Sequence, residues 1–162
     1  MKDMKYKDQF EEFLKIIDAF NKEHVDYIVI GGVAVILNGF ERFTNDLDIF
    51  IEVIPQNVER LKKSLLNIYK DASINEILSE DFNNYPVIRY GTPNGFYLDI
   101  IGKLGEMVKY EDLKYEIKNI NGVNVKIAAP ETLYTLKKDT IREKDKIDAQ
   151  FLKKLILNKQ KE

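Results

Sequence analysis

The chain has 162 residues, 44% of them hydrophobic, and a formal charge of −2, which suits one folded domain and lacks the global basic excess of a dedicated nucleic-acid binder. It contains no cysteine, which excludes a disulfide framework, thiolate metal sites and a cysteine nucleophile. No apolar run reaches the length of a membrane span, and the acid-bearing start lacks the apolar core of a secretory signal, so a cytoplasmic protein is expected.

Residues 8–23 set Phe10, Phe13, Leu14 and Ile17 at helical spacing between charges, which predicts an opening amphipathic helix. Residues 25–30 read as a short buried strand that stops at Gly31-Gly32. Residues 33–37 read as a short helix closed by Asn38-Gly39. Next, Leu47, Ile49, Ile51 and Val53 alternate with Asp46, Asp48, Phe50 and Glu52, the period of a strand. Pro55 suits the first turn of a helix, and Val58, Leu61, Leu65 and Ile68 mark its apolar face. A further short helix is expected over 74–82. Residues 87–90 and 96–101 flank a five-residue loop, 91-GTPNG-95, and form a hairpin. Residues 116–120 and 123–127 flank Asn121-Gly122, the strongest short hairpin signal in the chain. From Glu131 onward there is no Gly or Pro, so one or two helices follow Pro130. The order predicts an α+β domain with a mixed β-sheet, flanking helices and a C-terminal helical segment. In outline these are an N-terminal helix over 1–24, an α/β core over 25–129 and helices over 130–162.

Two aspartates inside a β-forming run need a reason, because Asp is depleted in strands and carboxylates are costly to bury. Asp46 and Asp48 are two apart, so they share one face of the strand at roughly 6.5–7 Å along the backbone. Two carboxylates that close repel and raise each other's pKa. A divalent cation removes the conflict, and Mg²⁺ commonly takes one or two carboxylates plus substrate phosphates. In 96-FYLDII-101, Asp99 again interrupts a β-like run. If its strand lies beside that of Asp46, three carboxylates converge, as two-metal phosphoryl chemistry requires, and Asp99 is a metal ligand or the base for an acceptor's proton. By itself Asp99 could equally pair with a buried arginine. Gly31 and Gly32 let backbone N–H groups approach an anion. Thirteen residues separate Gly32 from Asp46, enough chain to return along a neighbouring strand to the same end of the sheet.

The pattern of Gly31-Gly32, this interval, 46-DLD-48 and the later Asp99 resembles the nucleotidyltransferase superfamily, whose fold is shared with DNA polymerase beta. The segment 39-GFERFTNDLDIFI-51, with Arg42 and Thr44 ahead of the D-x-D pair, is similar to the small branch of AbiEii toxin-like proteins. The tail 130-PETLYTLKKDTIREKDKIDAQFLKKL-155 resembles that branch's C-terminal motif through Lys137, Arg142, Lys144, Asp145 and Asp148. The resemblance implies a single nucleotidyltransferase domain. It implies Mg²⁺- or Mn²⁺-dependent transfer of a nucleoside monophosphate from an NTP to an acceptor hydroxyl, with pyrophosphate leaving. It assigns metal to Asp46, Asp48 and Asp99, and nucleotide contacts to Gly31, Gly32, Arg42, Thr44, Lys137 and Asp145. The acceptor could be a tRNA 3′ end, as for toxin-like members, a protein or a small molecule. An antitoxin could be a partner in a toxin-antitoxin pair, and no membrane is expected. The alternative is a nucleotide-binding or interaction module on the same fold that has lost turnover.

The tail has its own bland reading. From Lys137 to Glu162 there are nine Lys/Arg against five Asp/Glu, which suits a solvated helix surface as well as a phosphate track. Lys137, Arg142, Asp145 and Asp148 could simply pair on that surface. If 131–158 were one helix, Lys137 and Asp145 would lie about two turns apart on nearly one face.

Overall fold

The computed structural model describes residues 2–104 and 109–161, with side chains from Gln9 onward. The opening helix α1 (Lys2–Lys22) begins six residues earlier than its apolar spacing predicts. It buries Phe13, Leu14, Ile16, Ile17 and Phe20. Strand β1 (Tyr27–Ile30) is buried at every position, as a strand covered on both faces requires. Helix α2 (Gly31–Leu37) starts on the first glycine itself. Strand β2 (Asp46–Ile51) and helix α3 (Pro55–Ile68) follow where the sequence places them.

The helix expected over 74–82 is instead two 3-10 turns, Ala72–Glu76 and Ser79–Asn83. Between them Ile77 and Leu78 are extended. The Leu78 N–H donates to Asp81 Oδ2 at 3.2 Å, so a local side-chain bond restarts the turn rather than letting a helix continue.

Strands β3 (Val87–Gly91) and β4 (Tyr97–Ile101) form the first hairpin. Gly91 pairs with Tyr97, so the five-residue connection is 92–96, one residue later than expected. Strands β5 (Tyr115–Ile120) and β6 (Val123–Ala128) form the second. Asn121 and Gly122 both have positive φ, 51° and 88°, the requirement of a tight two-residue hairpin turn.

The six strands form one mixed sheet in the order β3-β4-β2-β1-β6-β5. Three neighbouring pairs are antiparallel, whereas β1 with β6 and β2 with β4 are parallel. Leu47, Ile49 and Ile51 of β2 and Leu98 and Ile100 of β4 are fully or almost fully buried in the core.

The tail is two helices, α4 (Pro130–Lys137) and α5 (Glu143–Gln160), broken at 138–142. Thr140 explains part of the break. Its hydroxyl lies 3.2 Å from the Lys137 carbonyl and 2.9 Å from Asp145 Oδ2, partners that compete with a continuing helix ladder. Helix α4 packs against both α5 and α2, which brings the tail to the start of β2. Among the described residues no helix is long and apolar enough to cross a membrane.

Candidate active site

Strands β2 and β4 run parallel with Asp48 opposite Asp99 and Asp46 opposite Tyr97. Residues in register share a sheet face, and so do residues two apart. Asp46, Asp48 and Asp99 therefore converge, as the alternation in the sequence predicts. They line a cleft of about 590 Å³. Gly31, Gly32, Arg42, Thr44, Lys137 and Asp145, the other residues expected to contact substrate, line the same cleft.

Gly31 is required where it stands. Strand β1 is antiparallel to β2 with Ile30 opposite Asp48, so the chain leaves β1 directly beside the Asp48 carboxylate. Gly31 has φ +68°, and a Cβ there would overlap Asp48 Oδ2 and sit 2.8 Å from its Cγ. A Cβ on Gly32 would lie 2.7 Å from an Arg42 guanidinium nitrogen and 3.1 Å from Thr44 Oγ1. The glycine pair thus admits two different neighbours, the metal-type carboxylate and the arginine–threonine pair. Gly31→Ala is expected to cost about 1–2 kcal/mol in backbone conformation alone and to displace the Asp48 carboxylate that its Cβ would overlap. Chemical denaturation would measure the loss of stability.

Burial and the charges of Asp99 and Asp46, together with a hydrogen bond to Asp99, push the Asp48 pKa up to about 7. The Lys137 charge pulls it partly back. Near neutral pH this site therefore holds a fraction of a proton, and it gains from added positive charge.

Part of that charge comes from a residue the sequence reading passed over. Arg89 lies opposite Asp99 on β3. Its Nε and one terminal nitrogen donate to the two Asp99 oxygens at 2.8 and 3.0 Å, a bidentate pair. The same terminal nitrogen reaches Asp46 Oδ2 at 3.3 Å. The guanidinium also lies 4.7 Å from the centre of the Tyr97 ring. The arginine considered as a partner for Asp99 is thus present, but half-exposed at the cleft rather than buried. Its signal was an arginine inside a β-like run, 87-VIRYG-91, whose opposite number is set only by the hairpin register.

The tail residues form a second charged group. Lys137 Nζ lies 3.0 Å from Asp145 Oδ1 and 2.9 Å from Asp148 Oδ2. Arg42 donates to the same Asp148 oxygen at 2.8 Å. Asp148 is fully buried. Burial alone would raise the Asp145 pKa, but the hydrogen bond and charge of Lys137, with help from Thr140 and Arg142, outweigh it and hold the carboxyl below its ordinary value. The expected Lys137–Asp145 pairing is real, yet it is made across the helix break and under cover, not along a solvated helix. Lys137 and Asp145 face the cleft, while Asp148 stands behind them and ties Lys137 to Arg42. Arg142 and Lys144 also line the cleft, so part of the basic tail faces the carboxylates.

The donors present are hard oxygens, the class Mg²⁺ and Mn²⁺ prefer. Among the described residues no group of three or more His, Cys, Asp or Glu side chains is placed to hold a metal by itself. The arrangement fits an open site, in which two carboxylates and substrate oxygens share the cation.

The fold is found in known proteins. The chain aligns over 90% of its length with 96% of the lincosamide antibiotic adenylyltransferase LnuA, crystallised with lincomycin, at 19% identity and a TM-score of 0.61. It aligns over 92% of its length with 76% of an antigenic nucleotidyltransferase-like protein from Paracoccidioides brasiliensis, at 18% identity and a TM-score of 0.60. It aligns over 92% with 93% of ANT(2″)-Ia, crystallised with adenylyl-2″-tobramycin, at 13% identity and a TM-score of 0.53. No protein-family model matches the sequence, and no curated protein matches it. These likenesses establish a nucleotidyltransferase fold.

Proposed function

We propose that the cleft transfers a nucleoside monophosphate from an NTP to an acceptor hydroxyl and releases pyrophosphate. The observation that carries this reading is the register of β2 on β4, which sets Asp48 against Asp99 with Asp46 one step away, in the cleft that Gly31, Gly32 and Lys137 also line. Asp46 and Asp48 would hold a divalent cation. When bound, that cation supplies the positive charge that offsets the carboxylates and the triphosphate. The triphosphate would lie along the cleft wall that Gly31 and Gly32 line, and Arg42 and Lys137 favour its charge. Asp145 and Asp148 hold the Lys137 ammonium in position.

The acceptor oxygen bonds to the α-phosphorus as the bond from that phosphorus to the bridging oxygen of pyrophosphate breaks. The acceptor's proton passes to Asp99, which Arg89 holds in place with two hydrogen bonds. Two observations bear on the acceptor. LnuA and ANT(2″)-Ia, which share the fold, carry lincomycin and adenylyl-tobramycin in their structures, which supports a small-molecule hydroxyl. The Arg42/Thr44 and tail motifs are similar to the AbiEii toxin-like branch, which supports a tRNA 3′ end and an antitoxin partner.

The test is label transfer from each α-labelled NTP, with Mg²⁺ or Mn²⁺, in the presence of total tRNA or of a small-molecule extract. A labelled product that disappears in Asp46→Ala/Asp48→Ala supports nucleotidyl transfer, and its size separates RNA from small acceptors. Nucleotide binding that survives both substitutions, with no product from any NTP, would leave the inactive module as the function. A pH series adds a second check. A cation competes with the Asp48 proton, so Mn²⁺ affinity is expected to fall by up to about tenfold per pH unit below pH 7, the value near which Asp48 titrates.

A further inference from the structure

A second cavity, about 370 Å³ in volume, adjoins the cleft. Phe10 and Phe13 of α1 and Val33 and Ile36 of α2 supply most of its apolar wall. Arg42 and Thr44 line both spaces. Two polar atoms at this wall have no partner among the described residues. Gln9, only 3% exposed, leaves its Nε2 without an acceptor, and Arg42 leaves its buried Nε without one. A buried donor without an acceptor carries a desolvation cost and calls for an explanation. The Arg42 charge is already met by Asp148 at 2.8 Å, and among the described residues no acidic side chain lines the cavity. The wall therefore asks for a hydrogen-bond acceptor but for neither sign of charge.

We propose that this cavity binds an uncharged small molecule with an aromatic or aliphatic body and one carbonyl or ether oxygen. The body fills the phenylalanine-lined space, and the oxygen accepts from Gln9 Nε2, with Arg42 Nε as the second donor of the wall. At rest both nitrogens are shielded. The terminal torsion of a glutamine amide is soft, so a modest rotation presents Nε2 to an entering oxygen. The volume lies at the lower end of the range of small-molecule pockets. Neither nucleotide nor metal is needed for this binding, so it stands or falls separately from the transfer chemistry.

The probe is Prodan, an uncharged naphthalene with one ketone, compared with its 6-propyl analogue, in which a methylene replaces the ketone carbonyl. The whole chain is titrated without nucleotide or metal. Prodan is expected to bind saturably, one per chain, with blue-shifted emission. The propyl analogue, measured by displacement, should bind about 3- to 10-fold more weakly, the worth of one hydrogen bond. Gln9→Leu should weaken Prodan towards the affinity of the propyl analogue and leave that analogue unchanged. Ile36→Trp, which fills the cavity, should abolish binding of both. Circular dichroism confirms that each variant folds, and the two-probe comparison on the unaltered chain stands without them. The proposal is overturned by absence of saturable binding, as when water alone serves the two donors. Equal affinity for the two probes, an equal effect of Gln9→Leu on both, or binding retained in Ile36→Trp also overturns it.

Discussion

Under the proposed transfer reaction, Asp48→Asn is expected to reduce label transfer by about 10³-fold or more, since loss of one of the two carboxylates proposed to hold the cation removes several kcal/mol of transition-state charge stabilisation. The same substitution should raise the unfolding temperature of the metal-free protein above pH 7. The carboxyl is held near a pKa of about 7, against 3.8 for an unperturbed aspartate, by burial first and then by Asp99 and Asp46. Because the folded value is raised, the stability it contributes is fully present below the unfolded value and is lost as pH rises through about 7. Above that pH the fold carries a charged Asp48 beside two other carboxylates, and asparagine removes that charge. Calorimetry of both proteins at pH 5 and pH 8 provides the measurement. The gap in unfolding temperature should be wider at pH 8, and under the proposed metal role added Mn²⁺ should narrow it by stabilising the unaltered chain. A gap that does not change with pH would mean that Asp48 is ionised throughout and that the three carboxylates do not compete for charge.

Asp148→Ala is expected to destabilise the fold by about 3–5 kcal/mol, the cost of removing one partner from a buried ion pair. Asp148 is fully buried, and one of its oxygens serves both Arg42 and Lys137. Its loss leaves Arg42 without a carboxylate partner, with its side chain only 18% exposed, whereas Lys137 keeps Asp145. This asymmetry yields a compensating variant. Arg42→Met with Asp148→Leu removes one charge of each sign and should recover most of the loss, because a buried pair replaced by apolar side chains of similar volume is often neutral or better. Urea unfolding of the single and double variants measures both effects. An Asp148→Ala cost below about 1 kcal/mol would place this network among surface ion pairs.

Much of the site was legible because it is written in local periods. The i, i+2 spacing set Asp46 and Asp48 on one strand face, and the break in 96-FYLDII-101 marked Asp99. The glycine pair marked a point of close approach, although its closest neighbour, Asp48 at Gly31, is visible only once β1 and β2 are paired. The stretch over 72–83 misled because its apolar residues are compatible with a helix, while Asp71 and Asp81, by accepting nearby backbone N–H groups, favour two separate turns.

The strands, the two hairpins, the glycine turn ahead of α2 and the three carboxylate positions follow from the sequence alone. Each of these depends on residues a few positions apart, where alternation and turn chemistry decide. Only the tertiary structure decided which charges meet. Arg89 reaches Asp99 because of the register of one hairpin, and Asp46 because β4 lies between β3 and β2. Arg42 meets Asp148 across 106 positions of chain. Lys137 becomes a buried cleft cation only because the tail breaks at 138–142 and folds α4 against α2. A charged side chain has no periodicity of its own. Whether it is a solvated surface group or part of a site depends on what the fold brings within about 4 Å of it.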